Sequence, residues 1–249
     1  PPSAYGDVNI GGAKTTCDYA RKIGASRIVF TSSVAVYGFA PPDTSEAGDI
    51  NYFNEYGRTK HIAEKVYADW QAEDPLNRCL VIVRPTVIFG PGNRGNVYNL
   101  LRQIANGSFA MFGDGRNVKS MAYVENVAKF LVHCVNEPAG VHVYNYVDKP
   151  DLSMNELIQI ARKTLFNKSG VGLRLPRFLG VIIGVGFDFL AWLTKRPLPV
   201  SSIRVKKFMV TTQFSSAIPE TGFEAPYTLA EGLGKTLQYE FLEDNRDTP

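Results

Sequence analysis

The chain has 249 residues, of which 45% are hydrophobic and 20% are charged, a composition typical of a globular protein with one sizeable core. Its formal net charge of +3 is too small to favour nucleic acid as a partner, and no long basic run supports one. The three cysteines, Cys17, Cys79 and Cys134, are widely spaced without a CxxC pair, which argues against disulfides and a metal site and favours a reducing cytoplasm.

The opening segment, PPSAYGDVN, has neither an initiator methionine nor the basic-then-apolar pattern of a secretory leader. We therefore expect this start to lie inside a longer protein. The stretch 4–23 that contains it has helical periodicity. One face of the predicted helix carries Val8, Ala13, Thr16, Cys17, Ala20 and Ile23.

Buried strands and helices alternate over the next part of the chain. ASRIVFTSS (25–33) predicts a strand ending in small hydroxyl residues, and the Pro- and Gly-rich stretch 36–51 predicts a loop. Residues 54–73 predict a long helix, and 77–95 predict a second apolar strand followed by a turn. Further elements are expected as helices near 96–106 and 123–136 and as strands at 109–112 and 141–147.

Continuously apolar strands that alternate with helices are typical of a parallel sheet covered on both faces. Such sheets bind ligands at the carboxyl ends of their strands. Beyond residue 148 the pattern changes to helices at 153–167, 177–195 and 228–243. We therefore expect two domains, 1–148 with a substrate-facing insertion at about 92–110, and a smaller substrate domain at 149–249.

Tyr56 and Lys60 lie four residues apart in the predicted helix 54–73, so they share one helical face. An ammonium group near a phenol favours the phenolate, which can serve as a general base or acid toward a hydroxyl or carbonyl. In a chain with 12 tyrosines such a pair also arises by chance, and the spacing alone favours an ordinary surface pair.

Several motifs in a fixed order favour chemistry instead. They are Tyr5-x-x-x-Asn9, Ser32-Ser33-x-x-Val36-Tyr37-Gly38, Tyr56-Gly57-Arg58-Thr59-Lys60, Arg84-Pro85 with Gly90-Pro91-Gly92, and GDGRNVKSMAYVENVA at 113–128. Together they resemble the extended short-chain dehydrogenase/reductase family, the NAD-dependent epimerase/dehydratase group, over essentially the whole chain. The resemblance implies an α/β fold, a doubly wound, Rossmann-like parallel sheet without its first strands, with a smaller C-terminal substrate domain.

Members of that family begin with a strand and a Gly-x-x-Gly-x-x-Gly turn whose backbone approaches the cofactor pyrophosphate. Residues 1–249 contain no such turn, and Gly11 and Gly12 fall inside a predicted helix. Residues 1–148 would then be the remaining part of a dinucleotide-binding domain. The resemblance implies NAD as cofactor, with NADP as the alternative, because the residue that selects between them belongs to the segment without a match.

By the same resemblance, Tyr56 is the catalytic acid/base, Lys60 assists it and binds the nicotinamide ribose, and Ser33 hydrogen-bonds the reacting oxygen. Asn9 would order the backbone of its helix. The implied cofactor contacts are Thr31, Ser32, Tyr56, Lys60 and Pro85. The implied substrate contacts are Ser33, Arg94, Arg116, Lys119 and Arg204. Polar strand ends are the alternative for Thr31 and Ser32, and solvated surface arginines the alternative for Arg94, Arg116 and Arg204.

The residues around these motifs also bear on the reaction. Sugar dehydratases resembling this pattern carry Asp-Glu where this chain has Val34 and Ala35, which disfavours a dehydratase. Epimerases often have asparagine where this chain has Val87 and arginine where it has Lys119. These differences weaken the epimerase assignment, but less than Val34 and Ala35 weaken the dehydratase assignment. We predict an NAD-dependent epimerase of a nucleotide sugar acting through a transient ketone. The alternatives are a dehydrogenase or reductase of a sugar, sterol-like or other carbonyl substrate, and a non-catalytic dinucleotide-binding relative.

The segment 174–196 is apolar with basic flanks, but its apolar part is shorter than the roughly 20 residues that span a bilayer. It predicts a packed helix of the substrate domain, with a weak contact of 178–193 with a membrane surface as the alternative. The family resemblance also implies a homodimer, formed by the helix near 5–23 and the helix that carries Tyr56 and Lys60.

Overall fold

The computed structural model describes residues 2–180, 182 and 210–243. Its α-helices in this part of the chain are α1 (Pro2–Tyr5), α2 (Gly12–Ile23), α3 (Glu55–Ala72), α4 (Asn96–Ala105), α5 (Val124–His133), α6 (Met154–Phe166) and α7 (Leu229–Leu237). The strands are β1 (Arg27–Thr31), β2 (Cys79–Pro85), β3 (Val87–Phe89), β4 (Met111–Phe112), β5 (Val118–Lys119), β6 (Met121–Tyr123), β7 (Gly140–Tyr146), β8 (Leu152–Ser153) and β9 (Arg174–Leu175). The longer elements confirm the predicted alternation, whereas the two- and three-residue strands β5, β6, β8 and β9 are too short for periodicity to predict.

The central sheet has the order β1-β2-β7, and both of its strand pairs are parallel. Thr31 at the end of β1 pairs with Val83, and Val83 pairs with Tyr144 of β7. All three strands therefore run in one direction and end at the same edge of the sheet. The predicted parallel sheet is confirmed, and the hydroxyl residues that follow β1 lie at its carboxyl edge.

Strand β2 is buried along its whole length and contributes to a separate core on each face of the sheet. Its residues alternate between the faces, as side chains of a strand do. One core combines Cys79, Val81 and Val83 with α5 residues such as Phe130. The other combines Leu80 and Ile82 with side chains of α2 and α3 that include Ala13, Cys17, Ala63 and Trp70. The covering of both faces explains why the sequence of β2 is continuously apolar except for Arg84.

The first helical stretch follows the predicted boundaries but not the whole predicted face. A π-helical turn, Gly6–Gly11, joins α1 to α2, and Gly24 ends α2 with a left-handed φ of 67°. Ala13, Cys17 and Ala20 are buried, whereas Thr16 is exposed. Val8 is 71% exposed and Ile23 is 57% exposed. The wider π turn changes the side-chain register, so that Val8 lies outside the face that α2 packs against the sheet.

The chain forms two compact units. The first unit comprises the described parts of 1–88, 120–149 and 213–228, and the second those of 89–119, 150–212 and 229–249. In the second unit, α6 packs against α4 and α7, and β4 pairs with β9 as β5 does with β8. The predicted domains, 1–148 and 149–249, stay a prediction. The units assign residues 89–119, which include the predicted insertion, to the second unit and 213–228 to the first.

Among the described residues, none of the helices combines the length and the apolarity that crossing a bilayer requires. Arg204 lies outside the described residues, as do most of the segment 178–193 and most of the predicted helix 177–195.

Candidate active site

The candidate site begins at the carboxyl end of β1. Ser32 donates its N–H to the carbonyl oxygen of Val83 at 2.7 Å, which continues the β1–β2 pairing by one residue. Ser33 then caps the 3₁₀ turn Val34–Tyr37, and its Oγ accepts a hydrogen bond from the Ala35 N–H at 3.1 Å. Because Oγ acts as the acceptor there, the hydroxyl hydrogen of Ser33 can still be donated.

Helix α3 presents Tyr56 and Lys60 from its first turns. Asn54 caps the helix, its Oδ1 accepting from the Gly57 N–H at 2.8 Å. A Cβ at residue 57 would lie 2.4 Å from the carbonyl oxygen of Ala35, a separation that real Cβ atoms do not show. Glycine at this position therefore lets the start of α3 approach the backbone of the turn that Ser33 caps.

The Lys60 ammonium is fixed at the carboxyl end of β1. Its Nζ donates to the carbonyl oxygen of Thr31 at 2.9 Å and lies 5.0 Å from the centroid of the Phe30 ring and 5.9 Å from that of Tyr56. Burial lowers the pKa of Lys60, and the negative charge of Glu64 opposes this effect. The sequence-predicted pair is thus brought together at the sheet edge.

The Tyr56 ring is partly buried and meets the ring of Tyr5 edge-to-face, with the centroids 5.8 Å apart. Within residues 2–180, 182 and 210–243, no hydrogen-bond partner is found for its hydroxyl. Asn9 donates from Nδ2 to Oγ1 of Thr59 at 2.9 Å. This bond joins the first helical stretch to α3, a contact that the expected backbone role of Asn9 did not anticipate.

A buried ion pair that the sequence analysis missed lies one helical turn beyond Lys60. Arg84 donates from Nε and Nη2 to the two carboxylate oxygens of Glu64, at 2.9 and 2.7 Å, and the side chains are only 8% and 5% exposed. Ser32 Oγ donates to the same carboxylate at 2.5 Å. Two features of the sequence could have predicted this pair. Glu64 follows Lys60 at the same four-residue spacing at which Lys60 follows Tyr56, and Arg84 is a charged residue inside an apolar strand, where it requires a buried partner.

The network continues from Arg84 within the first unit. Its Nη1 donates to Tyr37 Oη at 2.7 Å, and that hydroxyl donates to Asn145 Oδ1 at 2.8 Å. Burial raises the pKa of Tyr37, against the opposing charge of Arg84. Burial would lower the pKa of Arg84, but the hydrogen bonds and charge of Glu64 outweigh it and raise that pKa. Both groups therefore keep their protons and act as hydrogen-bond donors.

The end of β2 lies at the same edge. Pro85 is buried and pairs with Tyr146 of β7, whose carbonyl oxygen accepts the Thr86 N–H at 3.0 Å. The chain then emerges at Val87, which is exposed. Thr31, Ser32, Ser33, Tyr56, Lys60 and Pro85 all belong to the first unit.

The predicted anion contacts that the structure describes belong instead to the second unit. The Arg94 guanidinium lies 4.5 Å from the centroid of the Tyr98 ring and pairs with Glu240 at 2.5 Å, and Arg116 is exposed. Lys119 donates to Thr212 Oγ1 at 3.2 Å and to the Val210 carbonyl oxygen. Burial lowers the pKa of Lys119 to about 8.

Residues 1–146 match the model of the NAD dependent epimerase/dehydratase family. The chain is 49% identical to the N-acetyl-alpha-D-glucosaminyl-diphospho-ditrans,octacis-undecaprenol 4-epimerase of Escherichia coli O157:H7, over 99% of this chain and 75% of that protein. It is 28% identical to the UDP-glucose 4-epimerase of Vibrio cholerae, over 99% and 73% of the two chains.

Among solved structures, the UDP-glucuronic acid 4-epimerase from Bacillus cereus in complex with NAD superimposes with a TM-score of 0.68 at 18% identity, over 93% of this chain and 66% of that one. This likeness confirms the predicted fold class. The family match over more than half of the chain agrees with the ordered motifs in the sequence. The chain belongs to the NAD dependent epimerase/dehydratase family.

Proposed function

We propose that the chain is an NAD-dependent 4-epimerase of a sugar carried on a diphosphate. One observation carries the proposal: Tyr56, Lys60 and the Ser33-capped turn converge at the carboxyl edge of the sheet. Lys60 is anchored to Thr31 at 2.9 Å, and Gly57 brings α3 close to Ala35. This edge is where open α/β sheets bind their ligands.

The donors at this edge fit the nicotinamide ribose of NAD. An ammonium group has three donors, and the Thr31 carbonyl accepts one from Lys60. The other two, with the Tyr56 hydroxyl, suit ribose hydroxyls. Ser32 fits less well as a cofactor contact, because its hydroxyl donates to Glu64. When bound, NAD would supply a reversible acceptor for a hydride.

The side chains of this chain then carry out the proton transfer to and from the substrate hydroxyl. Tyr56 takes the proton from the substrate hydroxyl and later returns it, as a general base and acid. The Lys60 ammonium holds a positive charge 5.9 Å from the centroid of the Tyr56 ring. Ser33 donates its hydroxyl hydrogen to the reacting oxygen while its Oγ stays fixed by the Ala35 N–H. Loss of the substrate's hydroxyl proton and of the carbon-bound hydrogen as a hydride would leave a ketone, and return of the hydride to the opposite face would invert the carbon.

The carrier of the sugar has two candidates. A nucleotide is the sequence-based prediction, and the Vibrio cholerae relative is named for a UDP-sugar. A polyprenol is favoured by the 49% identical relative, which is named for a diphospho-undecaprenol sugar. The apolar stretch 178–193 with its basic flanks would suit such a lipid at a membrane surface. The substrate contacts of Arg94, Arg116, Lys119 and Arg204 stay predictions under either carrier.

The test offers the purified protein N-acetylglucosamine on each carrier, UDP and diphospho-undecaprenol, with NAD. Inversion at C4, followed by NMR, is the expected result with one carrier or with both. Tyr56→Phe, which lacks only the hydroxyl, should lower the rate by about 10²- to 10⁴-fold while the melting temperature is kept. Net oxidation or reduction of the sugar would identify the dehydrogenase alternative. NAD binding without turnover, or activity that survives Tyr56→Phe, would contradict the proposed mechanism.

The chain is further proposed to work as a homodimer in the cytoplasm. The exposed apolar side chains of the first helical stretch, Val8, Tyr19 and Ile23, support an interface that includes α2. The three cysteines are free and buried, which suits a reducing compartment.

A further inference from the structure

We propose that Glu64 is a positioning residue, which holds α3 against the ends of β1 and β2 so that Tyr56 and Lys60 keep their places beside Ser33. The inference rests on the proposed function, because it assigns how the acid/base helix is held in register with the strand ends. Among the described residues, no hydrogen bond joins Glu64 to Tyr56 or to Lys60.

The geometry places Glu64 on the face of α3 that the site uses. Tyr56, Lys60 and Glu64 follow one another at four-residue spacing, which aligns them along one side of a helix. Lys60, the middle residue of the three, donates to the carbonyl oxygen of Thr31 in β1 at 2.9 Å. Glu64, the last of the three, bonds to Ser32 at 2.5 Å and to Arg84 of β2 at 2.7 and 2.9 Å.

Two of the three partners of Glu64, Ser32 and Arg84, adjoin the residues that must be aligned. The third, His61 on the same helix, has its Nδ1 3.4 Å from Oε2 of Glu64. Ser32 precedes Ser33 directly, and Arg84 precedes Pro85. Arg84 also bonds to Tyr37, the last residue of the turn that Ser33 caps. A single carboxylate thus joins the helix to both strand ends, and through Arg84 to the turn.

Packing alone does not require ions at this place. A buried ion pair is weak evidence for stability, because apolar residues of the same volume often stabilise a fold equally well. The two parallel N–H···O bonds of an arginine–carboxylate pair fix its orientation as well as its distance. Orientation is what a helix carrying an acid/base group needs, since a shift of about 1 Å can slow a reaction by about 10²-fold.

The carboxylate also acts on the charge of Lys60. The groups facing the ammonium are the Thr31 carbonyl, the rings of Phe30 and Tyr56, and the Glu64 carboxylate. Burial lowers the pKa of Lys60 and Glu64 raises it. Loss of the carboxylate charge should therefore let Lys60 lose its proton at a lower pH.

The experiment compares Glu64→Gln with Glu73→Gln. Glu73 follows the end of the same helix and also binds two arginines, Arg21 and Arg78, but it lies about 20 Å from Lys60 at 1.5 Å per residue. We expect Glu64→Gln to lower kcat about 10- to 100-fold with KM kept, and to move the alkaline limb of the kcat profile to lower pH. Glu73→Gln should alter only the melting temperature.

A second variant keeps the inference falsifiable. Ser32→Ala removes the bond between Glu64 and the residue that follows β1, without leaving a buried charge unpaired. It should lower kcat without moving the alkaline limb. If Glu64→Gln fails to fold, the kcat of Ser32→Ala tests the positioning role instead. A kcat per folded molecule equal to that of the wild type in the folded variants would overturn the positioning role.

The pKa of Lys60, followed by NMR of the lysine ε-carbons, separates this inference from the proposed function. A lower pKa of Lys60 in Glu64→Gln is expected whatever the substrate, and an unchanged pKa would contradict the coupling to Glu64. Absence of turnover in the wild type, together with the lowered pKa of Lys60, would reject the proposed function alone.

Discussion

Gly57 lies so close to the Ala35 carbonyl that a Cβ on residue 57 would be 2.4 Å from its oxygen. The contact joins the first turn of α3 to the 3₁₀ turn that Ser33 caps. Glycine is a poor helix former, and its presence one residue after Tyr56 is explained by this approach of two backbones.

Gly57→Ala should therefore destabilise the protein, although alanine favours helices by about 0.5–1 kcal/mol. The Ala35 oxygen belongs to the backbone, so α3 must move, at a cost of about 1–3 kcal/mol, and Tyr56 moves with it. We expect a lower melting temperature and a lower kcat. Gly234→Ala in α7, where a Cβ meets nothing within 4 Å, is the control and should stabilise. Equal behaviour of the two variants would show that the close approach is not present in solution.

The Asn54 cap should affect both stability and activity. Asn54→Ala removes the acceptor of the Gly57 N–H and should cost about 1 kcal/mol, measured by denaturant unfolding. Ser153→Ala removes the capping box of α6 and should cost a similar amount. Since only α3 carries Tyr56, kcat should fall in Asn54→Ala alone. A fall of equal size in Ser153→Ala would mean that kcat follows global stability.

Lys119 should make substrate capture depend on pH near 8. Its pKa is lowered from 10.5 to about 8 by burial, so the free enzyme loses this positive charge as the pH rises through 8. If Lys119 binds the diphosphate, kcat/KM should fall above that pH. Lys119→Arg should remove the fall, because arginine stays charged. A pH profile identical in the two proteins would exclude Lys119 as the anion contact.

The same group sets a trend in stability. Its native pKa lies below the unfolded value, so the unfolded chain binds more protons between about pH 8 and 10.5. The contribution of Lys119 to the free energy of unfolding should therefore rise with pH across this window. Urea titrations of the wild type and Lys119→Met should converge at the alkaline end, and a constant difference between them would contradict the burial of the charge.

The homodimer can be tested on the surface of α2. Tyr19→Glu places a charge among the exposed apolar side chains of that surface, and should shift the sedimentation coefficient toward that of a monomer. Val132→Glu, at a similarly exposed position of α5, should leave it unchanged. A wild type that sediments as a monomer at micromolar concentration would remove the dimer from the proposal.

From the sequence alone one can predict the alternation of apolar strands and helices, the parallel sheet and the Tyr56–Lys60 pair. These features depend on local periodicity, which is visible within one segment. The family followed from the order of several such segments. The identity of the sugar carrier is not encoded in any of these local patterns.

The residues that hold the site together can be identified only once the elements are packed in three dimensions. Glu64 looks like an ordinary helix-surface carboxylate in sequence, and its burial depends on Arg84, which is 20 residues away along the chain. Gly57 and Ala35 are 22 residues apart and meet only because α3 returns across the end of β1. Long-range pairs of this kind depend on how the elements pack, whereas the pattern within each segment reports only which of its own faces is apolar.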